Sequence, residues 1–157
     1  MASFLDSYNV SVLAIPAYFI LSVLPHGLAV FVATQGKFGT WDNRNPRSSD
    51  MKAQLKQRLP AKEYAKYERM EACHANGMEN LPLFIAAVVL GNMAGLKQDD
   101  LTAFVTAFLA IRVCYTVAYI MTSSQAPTLL RSGLWVAGFS LCFKVIIGAA
   151  AAMGSQA

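Results

Sequence analysis

Four long apolar stretches alternate with polar ones along this chain, and each is long enough to cross a bilayer as a helix. A span needs about 20 apolar residues, because a helix rises about 1.5 Å per residue through a hydrocarbon core about 30 Å thick. The first stretch runs from about Val10 to Ala33, the second from about Met70 to Leu96, the third from about Leu101 to Met121 and the fourth from about Leu130 to Met153. The pattern predicts an all-α integral membrane protein: a four-transmembrane-helix bundle forming one domain over residues 1–157. Pro16 and Pro25 lie inside the first span and predict kinks there. Gly95 to Asp100 forms a tight connection, with Asp99 or Asp100 as the N-cap of the third span. Thr122 to Pro127 forms a second short one, so spans two, three and four are antiparallel neighbours. The segment from about Gln35 to Tyr67 is the one long loop, within which Pro60 opens a helix that continues into the second span.

Composition sharpens this picture. Charged residues make up 14% of the chain and hydrophobic ones 55%, against about 25% charged in soluble domains. The net charge of +4 belongs to the loop, where Lys37, Arg44, Arg47, Lys52, Lys56, Arg58, Lys62, Lys66 and Arg69 cluster. That placement suits an anionic lipid surface, and no aromatic residues interleave with a basic helix face as nucleic-acid binding would need. The Lys and Arg bias puts the loop and Arg131 in the cytosol and both termini on the far side. The sequon Asn9-Val10-Ser11 then lies on the translocated side, against the membrane. The first residues lack a basic leader and a cleavage site, so the first span reads as retained. Cys73, Cys114 and Cys142 are too few and too scattered for a disulfide framework or a metal site, and read as small buried hydrophobes. No metal is expected.

The candidate chemistry lies in polar residues set inside apolar segments. Such groups are costly in lipid unless a partner or a cavity meets them, and they are functional candidates by default. The second span carries Asn76, Glu79 and Asn80, and the third carries Arg112, Tyr115 and Tyr119. Glu79 and Arg112 each lie about nine residues from the cytosolic end of their span, roughly 13 Å deep, so they are expected to pair. Asn76 matches Tyr115 in depth. Arg112, Tyr115 and Tyr119 are spaced i, i+3, i+7 and share one face, while Arg69, Cys73, Asn76 and Asn80 form the answering stripe. Together with Arg131 they outline a polar funnel open to the cytosol, beside lipid that admits an apolar substrate. Lys144, at mid-span in the fourth helix, is expected to meet a carbonyl, a cavity or a neighbouring subunit. His26 is expected to bond carbonyls freed by Pro25.

Three stretches stand out together: Asp42-Asn43-Arg44-Asn45-Pro46-Arg47, the run from His74 through Pro82, and Arg112 through Tyr119 followed by Ala126 to Ser132. In them the chain resembles the MAPEG family, the membrane-associated proteins of eicosanoid and glutathione metabolism. The first and third look most like the branch typified by small bacterial members. The resemblance implies a homotrimer in the lipid bilayer with glutathione as cosubstrate, bound between subunits on the cytosolic side. It implies that Asn76 and Glu79 hold the glutathione backbone and amino group, with Tyr115 and Tyr119 beside them. It also implies that Arg131 stabilises the thiolate and that Lys37 supplies the basic residue ending the first helix. Arg112 joins the same pocket. Where family members carry cations in the second-helix motif, this chain has Ala72 and Ala75, and Gly77 stands for an Asp.

The leading expectation is a glutathione-dependent transferase or peroxidase acting on a lipophilic electrophile or peroxide, with Arg131, Tyr119 and Glu79 catalytic. A second reading drops glutathione and uses Glu79, Arg112 and the tyrosines for acid–base isomerisation or cyclisation of a lipophilic metabolite. Ala72 and Ala75 favour that alternative. A third reading is a non-catalytic membrane scaffold. The expected location is a multi-pass membrane protein, in the endoplasmic reticulum of a eukaryote or the inner membrane of a bacterium.

Overall fold

Asn9 starts the first helix by accepting a hydrogen bond from the backbone N–H of Val12 at 3.1 Å, which satisfies one of the donors that a helix N-terminus leaves open. In the computed structural model, which describes residues 7–122 and 128–155, this helix, α1, covers Val10–Thr34 and runs uninterrupted through Pro16 and Pro25. It ends where Gln35 and Gly36 turn into left-handed backbone at φ 52° and 80°. A 3₁₀ turn at Phe38–Thr40 follows, and then α2 (Ser49–Arg58), α3 (Ala61–Met93), α4 (Gln98–Met121) and α5 (Thr128–Gly154).

The loop holds more structure than its polarity announces. Ser48 caps α2 through Met51 N–H at 3.2 Å. Arg58 donates to the Ala33 carbonyl at 2.8 Å and so satisfies the end of α1. Leu55 and Leu59 are buried with Ala29, Ala33, Tyr64, Tyr67 and Met70 in a small core. Within the turn before α2, Arg44 hydrogen-bonds the exposed Asp42 and holds its carboxyl down at about 2.

Pro60 precedes α3 as expected, and α3 continues for 33 residues, a rod about 50 Å long. It stops at Met93, short of Leu96, because Gly95 turns the chain at φ 67°. The capping expectation for α4 is corrected: Lys97 occupies the cap position without a side-chain bond, and Asp99 and Asp100 sit in the first turn. There their charges face the positive end of the helix dipole. The expected connection through 123–127 lies outside the described residues.

Among the described residues, α1, α4 and α5 are long and apolar enough to cross a membrane. α3 is longer than any of them but carries Arg69, Glu71, Asn76, Glu79, Asn80 and Asn92, so three helices, not four, meet that description. Large apolar side chains cover the outside of these helices, including Phe19, Ile20, Leu24, Val113, Val117, Phe143 and Ile147. Such an exterior suits lipid and not water. Cys114 belongs to it, contrary to the expectation of burial, whereas Cys73 and Cys142 are buried.

α3 is the central helix and packs most extensively on α1, then on α5 and α4. The main core joins Ala14 and Tyr18 of α1, Phe84, Ala87 and Val88 of α3, Phe104, Val105 and Phe108 of α4, and Cys142 of α5. Phe84 and Phe108 stack at 4.3 Å between ring centroids, and Tyr18 stands edge-on to both. This aromatic cluster forms the floor beneath the polar groups.

Candidate functional site

Two helical stripes meet as the spacing predicts. Arg112 and Tyr115 are buried on the face of α4 that looks toward α3, and Asn76 answers from α3. Arg112 Nη2 donates to Asn76 Oδ1 at 3.2 Å. Asn80, one turn on, donates to the Asn76 carbonyl at 2.7 Å and to Asn76 Oδ1 at 3.3 Å. Arg69 Nε donates to the Ile120 carbonyl at 3.2 Å and ties the first third of α3 to the C-terminal end of α4.

The guanidinium of Arg112 also lies 4.3 Å from the centroid of the Tyr115 ring and 5.5 Å from that of Tyr18. Aromatic faces attract a cation through their quadrupole. Its Nε is nevertheless buried without a hydrogen-bond partner among the described residues. α5 adds a second cation: Arg131 lies 4.1 Å from the Tyr119 ring centroid, and the Tyr115 and Tyr119 rings are 5.5 Å apart.

These groups border a cavity of about 420 Å³ lined by Asn76, Tyr115, Tyr119, Arg131, Ser132, Trp135 and Val136. Arg131 opens on it, and Arg112 backs it from behind Asn76 and Tyr115. The described lining contains no carboxylate. The cavity is thus electropositive, walled by aromatic rings and edged by the lipid-facing surface of α5. It suits an anion attached to, or reacting with, something apolar.

Of the expected site residues, Asn76, Tyr115, Tyr119 and Arg131 converge on this cavity, with Arg112 in support. The expected ion pair between Glu79 and Arg112 does not form. Equal depth places two residues in one layer but does not set their direction around the helix axis. Glu79 is turned about 60° from Asn76 and is exposed beside Ala72 and Ala75, where it lines a different cavity. Lys37 is exposed beyond the end of α1 and also lies outside the Arg131 cavity. Lys144 is exposed on α5.

Several polar contacts lie outside the stripes that helical spacing picks out. Tyr18 donates its hydroxyl to the Gly77 carbonyl at 3.1 Å. His74 Nδ1 bonds the Ser22 carbonyl at 2.9 Å. His26 bonds Glu71 Oε1 at 2.7 Å, not a carbonyl freed by Pro25. The signal was present in the chain: Tyr18, Ser22 and His26 recur every fourth residue in an apolar span and so share one helix face.

The family model described as MAPEG family matches residues 12–151, nearly the whole chain, and the chain belongs to that family. No curated protein and no solved structure matches it.

Proposed function

Starting from membership in the MAPEG family, a family of membrane glutathione-related transferases and isomerases, we propose that this protein uses glutathione to attack a lipophilic electrophile or peroxide. The observation that carries the reading is the cavity between Arg131 and Tyr119, which presents one guanidinium directly, is backed by a second, and has no carboxylate in its described lining. A free thiol titrates at about 8.5, and an adjacent cation lowers that value by favouring the thiolate. Arg131 stabilises the sulfur anion, the Tyr119 hydroxyl donates to it, and Asn76 orients the tripeptide backbone. Arg112 is a positioning residue that holds Asn76 and Tyr115. The apolar substrate enters from the bilayer past Trp135 and Val136.

In this reading the apolar half of α3 is the fourth span, shielded by its three neighbours, and the basic loop faces the cytosol. The active form is a homotrimer. Lys144 supports it, because a lysine exposed at mid-span needs a partner that the described residues of one copy do not supply.

Arg131→Ala tests the chemistry. With glutathione and a lipophilic electrophile, turnover near neutral pH should fall about tenfold for each unit by which the thiol pKa rises, and recover partly as pH is raised. The change in glutathione affinity, measured calorimetrically, should be smaller. A second reading, glutathione-independent isomerisation, is favoured by Ala72 and Ala75 standing where family members carry cations. A substantial rate without glutathione, untouched by Arg131→Ala, would establish that reading and overturn the first.

A further inference from the structure

A helix leaves its last carbonyls without donors of its own, and an end that nothing ties down frays. α4 ends at Met121, so Tyr119 and Ile120 lie in its closing turn. The Ala118 carbonyl is met by the Thr122 N–H at 3.0 Å. The Ile120 carbonyl is met from another helix, because Arg69 Nε of α3 donates to it at 3.2 Å. A cation at this place also faces the negative end of the α4 dipole. Farther along the same seam the donor comes from the other side: Arg112 Nη2 of α4 donates to Asn76 Oδ1 of α3 at 3.2 Å. The anchors Arg69 and Asn76 on α3, and Ile120 and Arg112 on α4, are each separated by roughly 11–12 Å along their helix. One bond alone would leave α4 free to pivot about it. Two bonds at this separation fix how α4 slides and turns on α3. Tyr115 and Tyr119 lie between them on α4. Tyr119 is the residue next to the Arg69 anchor, and its ring carries the Arg131 guanidinium at 4.1 Å from the centroid. A shift of the last turn therefore displaces the Tyr119 hydroxyl and the platform of Arg131 together.

We propose that Arg69 is a positioning residue for the Arg131 cavity: its bond to the Ile120 carbonyl holds the last turn of α4, and with it Tyr119 and Arg131, in the geometry that serves the sulfur. The inference rests on the glutathione reading for its chemistry and on the α3–α4 seam for its geometry. Arg69 acts through the backbone of α4, and its charge is not what the reaction uses. That distinction can be tested, because the bond is made by Nε. Glutamine places its amide nitrogen at the same point along the side chain, with N–H donors and no charge. Lysine keeps the charge but carries a methylene at that point.

The test follows glutathione turnover with a lipophilic electrophile against pH, for the full chain as wild type, Arg69→Ala, Arg69→Gln and Arg69→Lys. Arg69→Ala should lower kcat about tenfold, the scale of one charge-assisted hydrogen bond, and move the pH–rate profile upward as Arg131 loses its place. Glutathione affinity, measured calorimetrically, should change less than kcat. Arg69→Gln should recover most of the rate and the wild-type profile, and Arg69→Lys should not. Amide exchange at Tyr119 to Thr122 should quicken about tenfold in Arg69→Ala and stay near wild type in Arg69→Gln, with the amides around Arg112 unchanged in both. Rescue by lysine and not by glutamine overturns the proposal, since it would show a charge acting directly on the sulfur. Wild-type turnover or wild-type exchange in Arg69→Ala overturns it as well. Should Arg69→Ala not fold, the glutamine and lysine variants decide by the same criterion. A wild-type protein without glutathione turnover overturns the glutathione reading instead, and the exchange rates then decide the α4 anchor by themselves.

Discussion

A guanidinium taken out of water needs acceptors, and Arg112 finds few. It is 3% exposed and, among the described residues, gives one hydrogen bond, to Asn76 Oδ1, leaves Nε without a partner and otherwise rests on the rings of Tyr115 and Tyr18. That one oxygen therefore matters to stability as well as to the cavity wall. Asn76→Ala should destabilise the protein by about 1.5–3 kcal/mol, the range for a lost hydrogen bond to a charged group. Asn76→Asp, which supplies a carboxylate at the same position, should restore or exceed the original stability. Glu79→Gln, by contrast, should change stability by no more than about 0.5 kcal/mol, since Glu79 is exposed and has no ion pair with Arg112. Thermal midpoints of the three variants in one detergent check all of this. A Glu79→Gln loss as large as that of Asn76→Ala would show that the carboxylate reaches the guanidinium after all. From sequence alone the two residues are hard to separate. Both are polar, both lie at the right depth, and they are only three positions apart.

The contact between α1 and α3 depends on the absence of a side chain. A Cβ built on Gly77 meets Ser22 Cβ at 2.8 Å, its Oγ at 2.9 Å and its backbone Cα at 3.2 Å, so even a methyl group forces the helices apart. Close approach at small residues is how helices associate where lipid removes the hydrophobic drive. The same turn carries the bonds from Tyr18 to the Gly77 carbonyl and from His74 to the Ser22 carbonyl. Gly77→Ala should therefore cost about 1–3 kcal/mol and loosen the Tyr18 floor under Arg112. Gly27→Ala, at a position with nothing within 4 Å of the new Cβ, should be neutral or slightly stabilising. Ser22→Gly added to Gly77→Ala should recover part of the loss. Unfolding midpoints decide it, and a Gly77→Ala variant as stable as Gly27→Ala would rule out the tight seam. The α1 side of this seam is readable, because the buried positions Ser11, Ala14, Tyr18, Ser22, Pro25, Ala29 and Ala33 recur at three- and four-residue steps. Carboxamides and carboxylates stand out in an apolar sequence, whereas small residues, whose role is to let backbones meet, do not. α2 is likewise inconspicuous in the sequence. Its surface is polar, and its burial rests on Leu55 and, just beyond its end, Leu59, too short a pattern to stand out within a charged loop.

Across the whole molecule, hydropathy reveals the outer helices and conceals the inner one. α1, α4 and α5 keep apolar faces outward, so their sequences report the lipid. α3 packs against all three and carries the polar groups, so its sequence reports the interior. The stripes through Asn76 and Arg112 were legible because helical spacing fixes which residues share a face. The choice of cavity for Glu79 was not, because nothing in a single helix says how it is rotated against its neighbours. Charge distribution was the other readable feature at this scale, and it predicts the topology. The loop, α2 and the start of α3 hold most of the basic residues, Arg131 lies with them at the start of α5, and the α3–α4 turn offers Lys97 against Asp99 and Asp100. Lys and Arg near span ends are retained on the cytosolic side. In a Cys114→Ser background the remaining thiols, Cys73 and Cys142, are buried, which leaves an introduced cysteine as the reporter. Asp99→Cys should react with a membrane-impermeant maleimide added outside sealed cells, whereas Gln57→Cys, exposed on α2, should react only after permeabilisation. The opposite pattern would invert the protein, put the Arg131 cavity on the side away from cytosolic glutathione, and remove the supply of cosubstrate on which the proposed reaction depends.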